Sequence, residues 1–507
     1  MMKPKELYDT SPYRGKFRIA LVACFPLGGL LLGWAVLFAY KPLAGIGLIL
    51  IIFFCIFAFS HPFWTVLAFI FTLPFCDLLN LPVTADGFKL STGILLAAFS
   101  IWIVKALLTK DQNLFITPLS NLTHVLILSL FIFSFISIIN SRNPRFSLVE
   151  IQEFTYCVII YFFLVSNVKE IKQLDKVIFA FVSASFLVSL FGIAEGVGWN
   201  VYSRLSNNSL FGSSLPSAIL ESPPNRINGL IGDADFHGIY MGVVFLFSLY
   251  LFFTNRSRVL RLFFSGVMSL SVINIVGAAS RGAALGFLCS LLIFWAFIEL
   301  ARKWLISVLM LGTILLLGFL MLTFIPDLEI ERFYRPKGIA KSTLELRWTN
   351  VVIGLAMTRD HPFIGYGPDG FVANYHRFAA QSAPSAQKRR TKPLNVYIQV
   401  LVEYGIVGLT IFVSILCLAL RSLFLVVKGS TGNDRYLPAV LLSSLCGYSV
   451  FMAFTGSFTN QNYWTLIALS IVMISMSPSK FPNKDRSIGS REGIGGSSPF
   501  SLQGEEI

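Results

Sequence analysis

The sequence predicts an all-α polytopic membrane protein, and its composition and the pattern of its apolar runs support this prediction. Of its 507 residues, 55% are hydrophobic, 14% are aromatic and only 13% are charged, and the mean hydropathy is +0.72. Soluble domains carry roughly 25% charged residues, so this class is excluded. The apolar runs lack the alternation of a membrane barrel, and helices are therefore the expected spanning elements.

Apolar segments of about 20 residues are long enough to cross a bilayer as helices. We expect about 14 transmembrane helices, with 12–14 as the range. The candidates are 18–39, 43–60, 62–79, 91–108, 122–139, 152–166, 176–197, 238–254, 260–278, 283–300, 304–325, 396–427, 437–456 and 461–476.

These candidates divide the chain into five parts. Residues 1–17 form a cytoplasmic N-terminus, and 18–325 form a transmembrane bundle with an outer loop at 198–237. A large periplasmic loop follows at 326–395, and 396–476 hold the C-terminal transmembrane helices. The Ser, Gly, Pro and charge content of 477–507 predicts a disordered cytoplasmic tail.

The distribution of basic residues fixes the predicted orientation. The net charge is +14, and Lys and Arg concentrate in alternate connectors when the N-terminus is placed inside. The inner connectors carry Lys105, Lys110, Lys169, Lys172, Lys176, Arg256, Arg258, Arg261, Arg302, Lys303, Arg421, Lys428 and Arg435. Connectors 77–90 and 457–460 are nearly free of positive charge, as outer segments should be.

Polar residues collect at the outer face in this topology. The outer segments are 198–237, the short turn around Arg281, and 326–395. Small residues flank Arg281 in GAASRGA and would let a phosphate group approach the backbone, while Arg suits bidentate phosphate recognition. The alternative is an arginine that extends from a helix end to the membrane interface.

The turn GYGPDG at 365–370 matches the letters of a dinucleotide fingerprint but not its context. That fingerprint must follow a strand and open a helix, whereas this turn contains Pro368 and lies in an outer loop. We therefore expect a tight turn. No metalloprotease, serine-hydrolase or Walker motif is present, and the five histidines are far apart in sequence. We expect neither a metal nor a cofactor.

Four ordered motifs together are similar to the O-antigen ligase and O-antigen polymerase superfamily. They are SRGA at 280–283, RW at 347–348, HPFIGYGPDGF at 361–371 and LNVYIQVLVEYGIVGL at 394–409. The resemblance covers residues 225–427. It implies a helical-bundle glycosyltransferase of the GT-C type in the bacterial inner membrane, with its active site facing the periplasm.

The resemblance also implies roles for particular residues. Arg281 and Arg347 match the family's arginines and would bind the diphosphate of an undecaprenyl-diphosphate-linked glycan. Guanidinium groups held in place there would stabilise the negative charge of the leaving group. Arg226, Asn395 and Tyr397 are further candidate substrate-binding residues.

The chain departs from the family where a base should assist the acceptor. The family's His-Asn pair is replaced by Leu394-Asn395, so no basic role passes to Leu394. Candidate replacements are His237, His376 and Glu403. His237 follows two aspartates at the entrance of a span, but it could equally be a surface histidine at a helix start.

Three functions stay open at this level. A polymerase would join one lipid-linked repeat unit to another, and the missing histidine favours it; a ligase would move a finished chain to lipid A core. A polysaccharide or lipid transporter is the non-enzyme alternative. The expected partners are the lipid-linked donor, a glycan or lipid A core acceptor, the bilayer, and a chain-length regulator and flippase, with no nucleic acid.

Overall fold

The computed structural model describes residues 57, 59–75, 80–81, 88–109, 122–197, 226–298, 339–382 and 393–476, with short pieces between 303 and 312. The expected spans 18–39, 43–60 and 304–325 lie wholly or mainly outside the described residues. The N-terminus 1–17, most of the outer loop 198–237 and the tail 477–507 do so as well.

Thirteen α-helices make up almost all of the described chain. They are α1 (Pro62–Thr72), α2 (Leu90–Thr109), α3 (Leu122–Ser137), α4 (Pro144–Asn167), α5 (Ile171–Gly196), α6 (Ala234–Thr254), α7 (Arg258–Gly277), α8 (Arg281–Phe297), α9 (Ile339–Asp360), α10 (Gly370–Ser382), α11 (Val396–Gly429), α12 (Tyr436–Phe451) and α13 (Gln461–Met476). Two short antiparallel strands, β1 (Asn80–Leu81) and β2 (Phe88–Lys89), pair between α1 and α2.

The described chain is a helical polytopic membrane protein. Seven helices are long and apolar enough to cross a membrane: α3 extended to Asn140, α4, α5, α6, α7, α11, and α12 with its flanking turns. Four shorter apolar segments lie in α1, α2, α8 and α13. Each of the expected spans from 62–79 to 283–300 and from 396–427 to 461–476 contains one of these helices.

The bundle packs around α6. This helix is apolar on all sides, and 89% of its spanning window is buried, as expected for a helix surrounded by others. It contacts α7, α8 and α12, while α8 packs on α12, α13 on α4, and α11 on α3. One continuous hydrophobic core joins these helices.

The large outer loop has helical structure of its own. We predicted a loop over 326–395, and within it the structure has α9 and α10. Their inner faces form a second, smaller core that includes Ile353, Met357, Phe371 and Tyr375 and extends to Val402 of α11. The two helices pack together on the N-terminal part of α11, and we call them the cap.

A glycine-rich turn joins this cap to the bundle. Gly365 and Gly367 have positive φ (75° and 79°), which side chains rarely adopt. The N–H groups of Tyr366 and Gly367 donate to the carbonyls of Val402 and Glu403 (2.8 and 2.9 Å), where α11 is kinked at Gly405. Residues 365–370 thus form the tight turn that we expected, and this turn holds the backbone at Glu403.

Candidate functional site

Three arginines from distant parts of the sequence converge near the N-terminal ends of α6 and α8. Arg226 pairs with Asp235 at 2.6 Å (Nη2 to Oδ1), and its Nε donates to the carbonyl of Ala278 at 2.8 Å. The Asp235 carboxylate also accepts a hydrogen bond from Ser280, next to Arg281. We call Arg226, Arg281 and Arg347 the arginine cluster.

Arg347 joins the cluster from α9. Its guanidinium donates to the carbonyl of Phe454, at the end of α12. Burial lowers the pKa of Arg347, as do the charges of Arg281 and Arg226, whereas the charge of Asp235 raises it. Arginine stays protonated under such conditions. Arg281 and Arg226 therefore lie close enough to Arg347 for their charges to interact, and the Asp235 carboxylate acts on both Arg226 and Arg347.

A strained turn places Arg281. Ala279 has φ of 48°, and the Ser280 hydroxyl caps α8 by accepting from Ala283 N (3.2 Å). Arg281 is exposed at the first position of α8. The cluster therefore has an accessible cation at a helix N-terminus, a position whose dipole also favours an anion.

The small residues beside Arg281 are occupied by protein neighbours. A Cβ added at Gly277 would lie 2.3 Å from Ile227, and one added at Gly282 would lie 2.9 Å from Phe454. Ile227 and Phe454 therefore occupy the space beside these two glycines. The approach of a phosphate group to the backbone at Arg281 stays a prediction.

The segment that carries Arg226 is held by hydrogen bonds that the sequence did not reveal. The Glu195 carboxylate accepts from the N–H groups of Asn228 (3.1 Å) and Gly229 (2.8 Å), and Ile227 N donates to Gly277 O at 2.9 Å. Asp233 caps α6, and burial together with the charge of Asp235 raises its pKa. These contacts fix Arg226 relative to α6.

A polar cavity of about 420 Å³ is lined by residues that adjoin the arginine cluster in sequence, although none of the three arginines lines it. Its lining includes Phe236, which follows Asp235, and Gly456, two residues after the Phe454 carbonyl that Arg347 binds. The polar side chains that line it are Glu150, Glu153, Asp369, Gln399, Glu403, Ser457, Thr459, Asn460, Gln461 and Asn462.

Glu403 is the most enclosed carboxylate of this cavity, at 2% exposure. Gln399 Nε2 lies 3.3 Å from one carboxylate oxygen, and the backbone N–H of Asp369 donates to the same side chain. The Gln399 amide is itself oriented, because its oxygen accepts from Phe458 N at 3.2 Å. The carboxylate is therefore held in one place at the cavity wall.

His237 lies inside the bundle and has no exposed surface. Asn274 Nδ2 donates to the carbonyls of Ser189 and Leu270, so its oxygen accepts, and His237 Nε2 donates to it at 3.0 Å. Its other face packs on Gly229. The surface position considered in the sequence analysis is therefore wrong, and the buried ring packs against the segment that carries Arg226.

Glu403 is the predicted site residue that lines the cavity, and the other candidates lie elsewhere. His376 is exposed on α10, with a ring contact to Tyr375. Asn395 caps α11 by accepting from Ile398 N at 3.1 Å. The Tyr397 hydroxyl donates to the Ser449 carbonyl at 2.9 Å, between α11 and α12. Asn395 and Tyr397 thus have structural partners within the protein.

No group of three or more His, Cys, Asp or Glu side chains among the described residues is placed to hold a metal ion.

In the comparison with known families, residues 266–413 match the family model described as O-antigen ligase. The matched segment contains Arg281, Arg347 and Glu403. A search of curated proteins finds no match to this chain.

Proposed function

We propose that this chain is a glycan polymerase. The match of residues 266–413 supports its membership of the O-antigen ligase and polymerase superfamily. Its donor would be an oligosaccharide repeat unit on undecaprenyl diphosphate, and its acceptor a second lipid-linked glycan. The reaction would take place at the periplasmic face of the bacterial inner membrane.

The observation that carries this proposal is the arginine cluster beside a cavity with a buried carboxylate. A glycosyl diphosphate needs cations where charge develops on the leaving oxygens, and it needs a base near the attacking hydroxyl. Arg281 and Arg347 would supply the cations, and Glu403 would supply the base. Both groups are positioned by the protein before substrate binds.

The proposed reaction is a single displacement. The acceptor hydroxyl attacks the anomeric carbon of the donor and transfers its proton to Glu403, while the bond from that carbon to the phosphate oxygen breaks. Undecaprenyl diphosphate leaves as an anion and needs no added proton. Arg281 and Arg347 act on this leaving group because guanidinium forms paired hydrogen bonds with phosphate.

Arg226 has a different proposed role. Its guanidinium is already bonded to Asp235 and to the Ala278 carbonyl. It would therefore act as a positioning residue that fixes Asp235, whose charge in turn acts on Arg347. The donor would meet Arg281 and Arg347 directly.

An O-antigen ligase is the second candidate, because the matching family model carries that description. A ligase would transfer the finished glycan to lipid A core. The polymerase is favoured by Leu394, which stands where the resemblance expects a histidine. Glu403 would serve as the base in either reaction.

The test is a gel of surface and secreted polysaccharide from a deletion strain, run beside the lipid-linked intermediates that accumulate. Single repeat units retained on the lipid are the expected result for a polymerase. Long chains retained on the lipid, with bare lipid A core, would identify a ligase. No change in either pool would contradict both enzymes and favour a transporter.

A further inference from the structure

Several large apolar side chains are exposed on the outer cap. Trp348 and Leu355 of α9 are 70% and 48% exposed, and Phe363, just after α9, is 67% exposed. Trp348 and Leu355 are two helical turns apart and therefore lie on one face. The opposite face, with Asn350, Ile353 and Met357, packs inward.

The kink in α11 locates this surface relative to the part of the helix that is long enough to cross a membrane. From Ile406 to Gly429 the helix is about 36 Å long at 1.5 Å per residue, enough to cross the hydrocarbon core. The N–H of Ile406 donates to the carbonyl of Pro362 at 2.8 Å. Phe363 therefore lies at the outer end of a spanning helix.

Two points of α9 are fixed to spanning helices. Near its middle, Arg347 binds the carbonyl of Phe454, where the span that contains α12 ends. At its C-terminal end, Asp360 is followed directly by the segment bonded to Ile406. A helix held at two such points runs along the membrane surface and does not project away from it.

The apolar surface continues onto the lipid-facing side of the bundle. Ile364, Ile406, Val407 and Val413 are exposed as well, and the last three belong to α11. Trp is enriched at membrane interfaces, and helices that lie in the interface bury one apolar face among headgroups and acyl chains.

We propose that α9 is an interfacial helix, and that Trp348, Leu355 and Phe363 insert into the outer leaflet of the bilayer. This inference rests on the packing of α9 and does not depend on the proposed function. If both are combined, Trp348 keeps its neighbour Arg347 at the depth of lipid phosphates, where the diphosphate of a lipid-linked donor lies.

The test is photo-crosslinking of the full-length protein in vesicles of phosphatidylethanolamine and phosphatidylglycerol. Leu355 and Phe363 are each replaced by benzoylphenylalanine, which captures whatever it contacts. Val413 on α11 is the lipid-facing reference. Arg377 on α10, whose side chain is 55% exposed and pairs with Asp360, is the water-facing reference.

The expected result is a phospholipid adduct at positions 355 and 363 in amounts comparable to position 413, with none above background at 377. Lipid adducts at 413 but not at 355 or 363 would overturn the proposal. The same variants are then irradiated in native membranes. A protein adduct at 355 and 363 in place of lipid would also overturn it and assign this face to a protein partner.

Discussion

At the residue scale, Asp235 links the parts of the arginine cluster. It pairs with Arg226, accepts from Ser280 and acts electrostatically on Arg347. One carboxylate thus connects the segment before α6, the turn before α8 and the helix α9. The charges of Arg281 and Arg226 both repel Arg347, and the negative charge of Asp235 offsets part of this repulsion.

Replacing Asp235 by Asn should therefore disturb the cluster without changing side-chain size. Loss of a charge-assisted pair costs about 1–3 kcal/mol, so we expect glycan transfer to slow by about tenfold or more. The assay is the transfer rate of purified protein. Asp233→Asn is the matched control, because Asn caps a helix as well as Asp does; equal losses in both variants would contradict this role.

Glu403 can be tested in the same assay. Glu403→Gln keeps the shape and the neighbour Gln399 but removes the proton acceptor. We expect the transfer rate to fall by about 10²–10⁴-fold, the usual contribution of a general base, with donor binding unchanged. Glu153→Gln is the control variant, because Glu153 lines the same cavity. A full rate in Glu403→Gln would exclude it as the base.

Residue roles were predictable only in part. Arg281 and Arg347 were identified because they occur in motifs that resemble a family, and the structure brings them together with Arg226. The pairing of Arg226 with Asp235 and the support from Glu195 depend on contacts between elements, which local sequence does not encode. His237 was misinterpreted for the same reason, since its burial by Asn274 and Gly229 is a tertiary property.

At the scale of elements, the kink at Gly405 joins the cap to the bundle. Gly405 has φ of 65°, and a Cβ there would lie 2.3 Å from the Phe363 carbonyl oxygen. The cap cannot dock on α11 without this close approach. The orientation of Glu403, two residues earlier, depends on the same contact.

Gly405→Ala should consequently destabilise the protein. Gly405 combines φ of 65° with ψ of −169°, a region that is essentially restricted to glycine. A non-glycine residue there costs about 1–3 kcal/mol, and the clash with Phe363 adds to this. We expect a lower thermal midpoint in detergent and a reduced transfer rate. Gly429→Ala is the control, because nothing lies within 4 Å of a Cβ added there. An unchanged midpoint in Gly405→Ala would show that the cap does not depend on this kink.

Elements were predicted well where lipid dictates them. Spans such as α3 and α6 follow from long apolar runs, because backbone groups in a bilayer must bond within the helix. The cap helices α9 and α10 were predicted as a loop. Their small core is completed by α11, and both helices are too polar overall to match the apolar pattern of a span. The amphipathic pattern of α10 could nevertheless have predicted a helix there.

At the scale of the whole molecule, the arginine cluster and the cavity should face the periplasm. The loop at 430–435, between α11 and α12, would then lie in the cytoplasm. A membrane-impermeant maleimide applied to intact cells should label Arg377→Cys on α10 and spare Asn433→Cys, each compared with the parent protein. Both positions are exposed in the structure. The reverse labelling pattern would invert the orientation.

We propose that Arg281 and Arg347 hold the diphosphate of a lipid-linked donor. The measurement that tests this role is the rate at which purified protein in vesicles releases undecaprenyl diphosphate from a lipid-linked repeat unit. We expect Arg281→Gln and Arg347→Gln to lower this rate by about 10²–10³-fold, as the loss of one preorganised donor does elsewhere. Arg377→Gln should leave it unchanged. Wild-type rates in both cluster variants, with unchanged thermal midpoints, would contradict the claim.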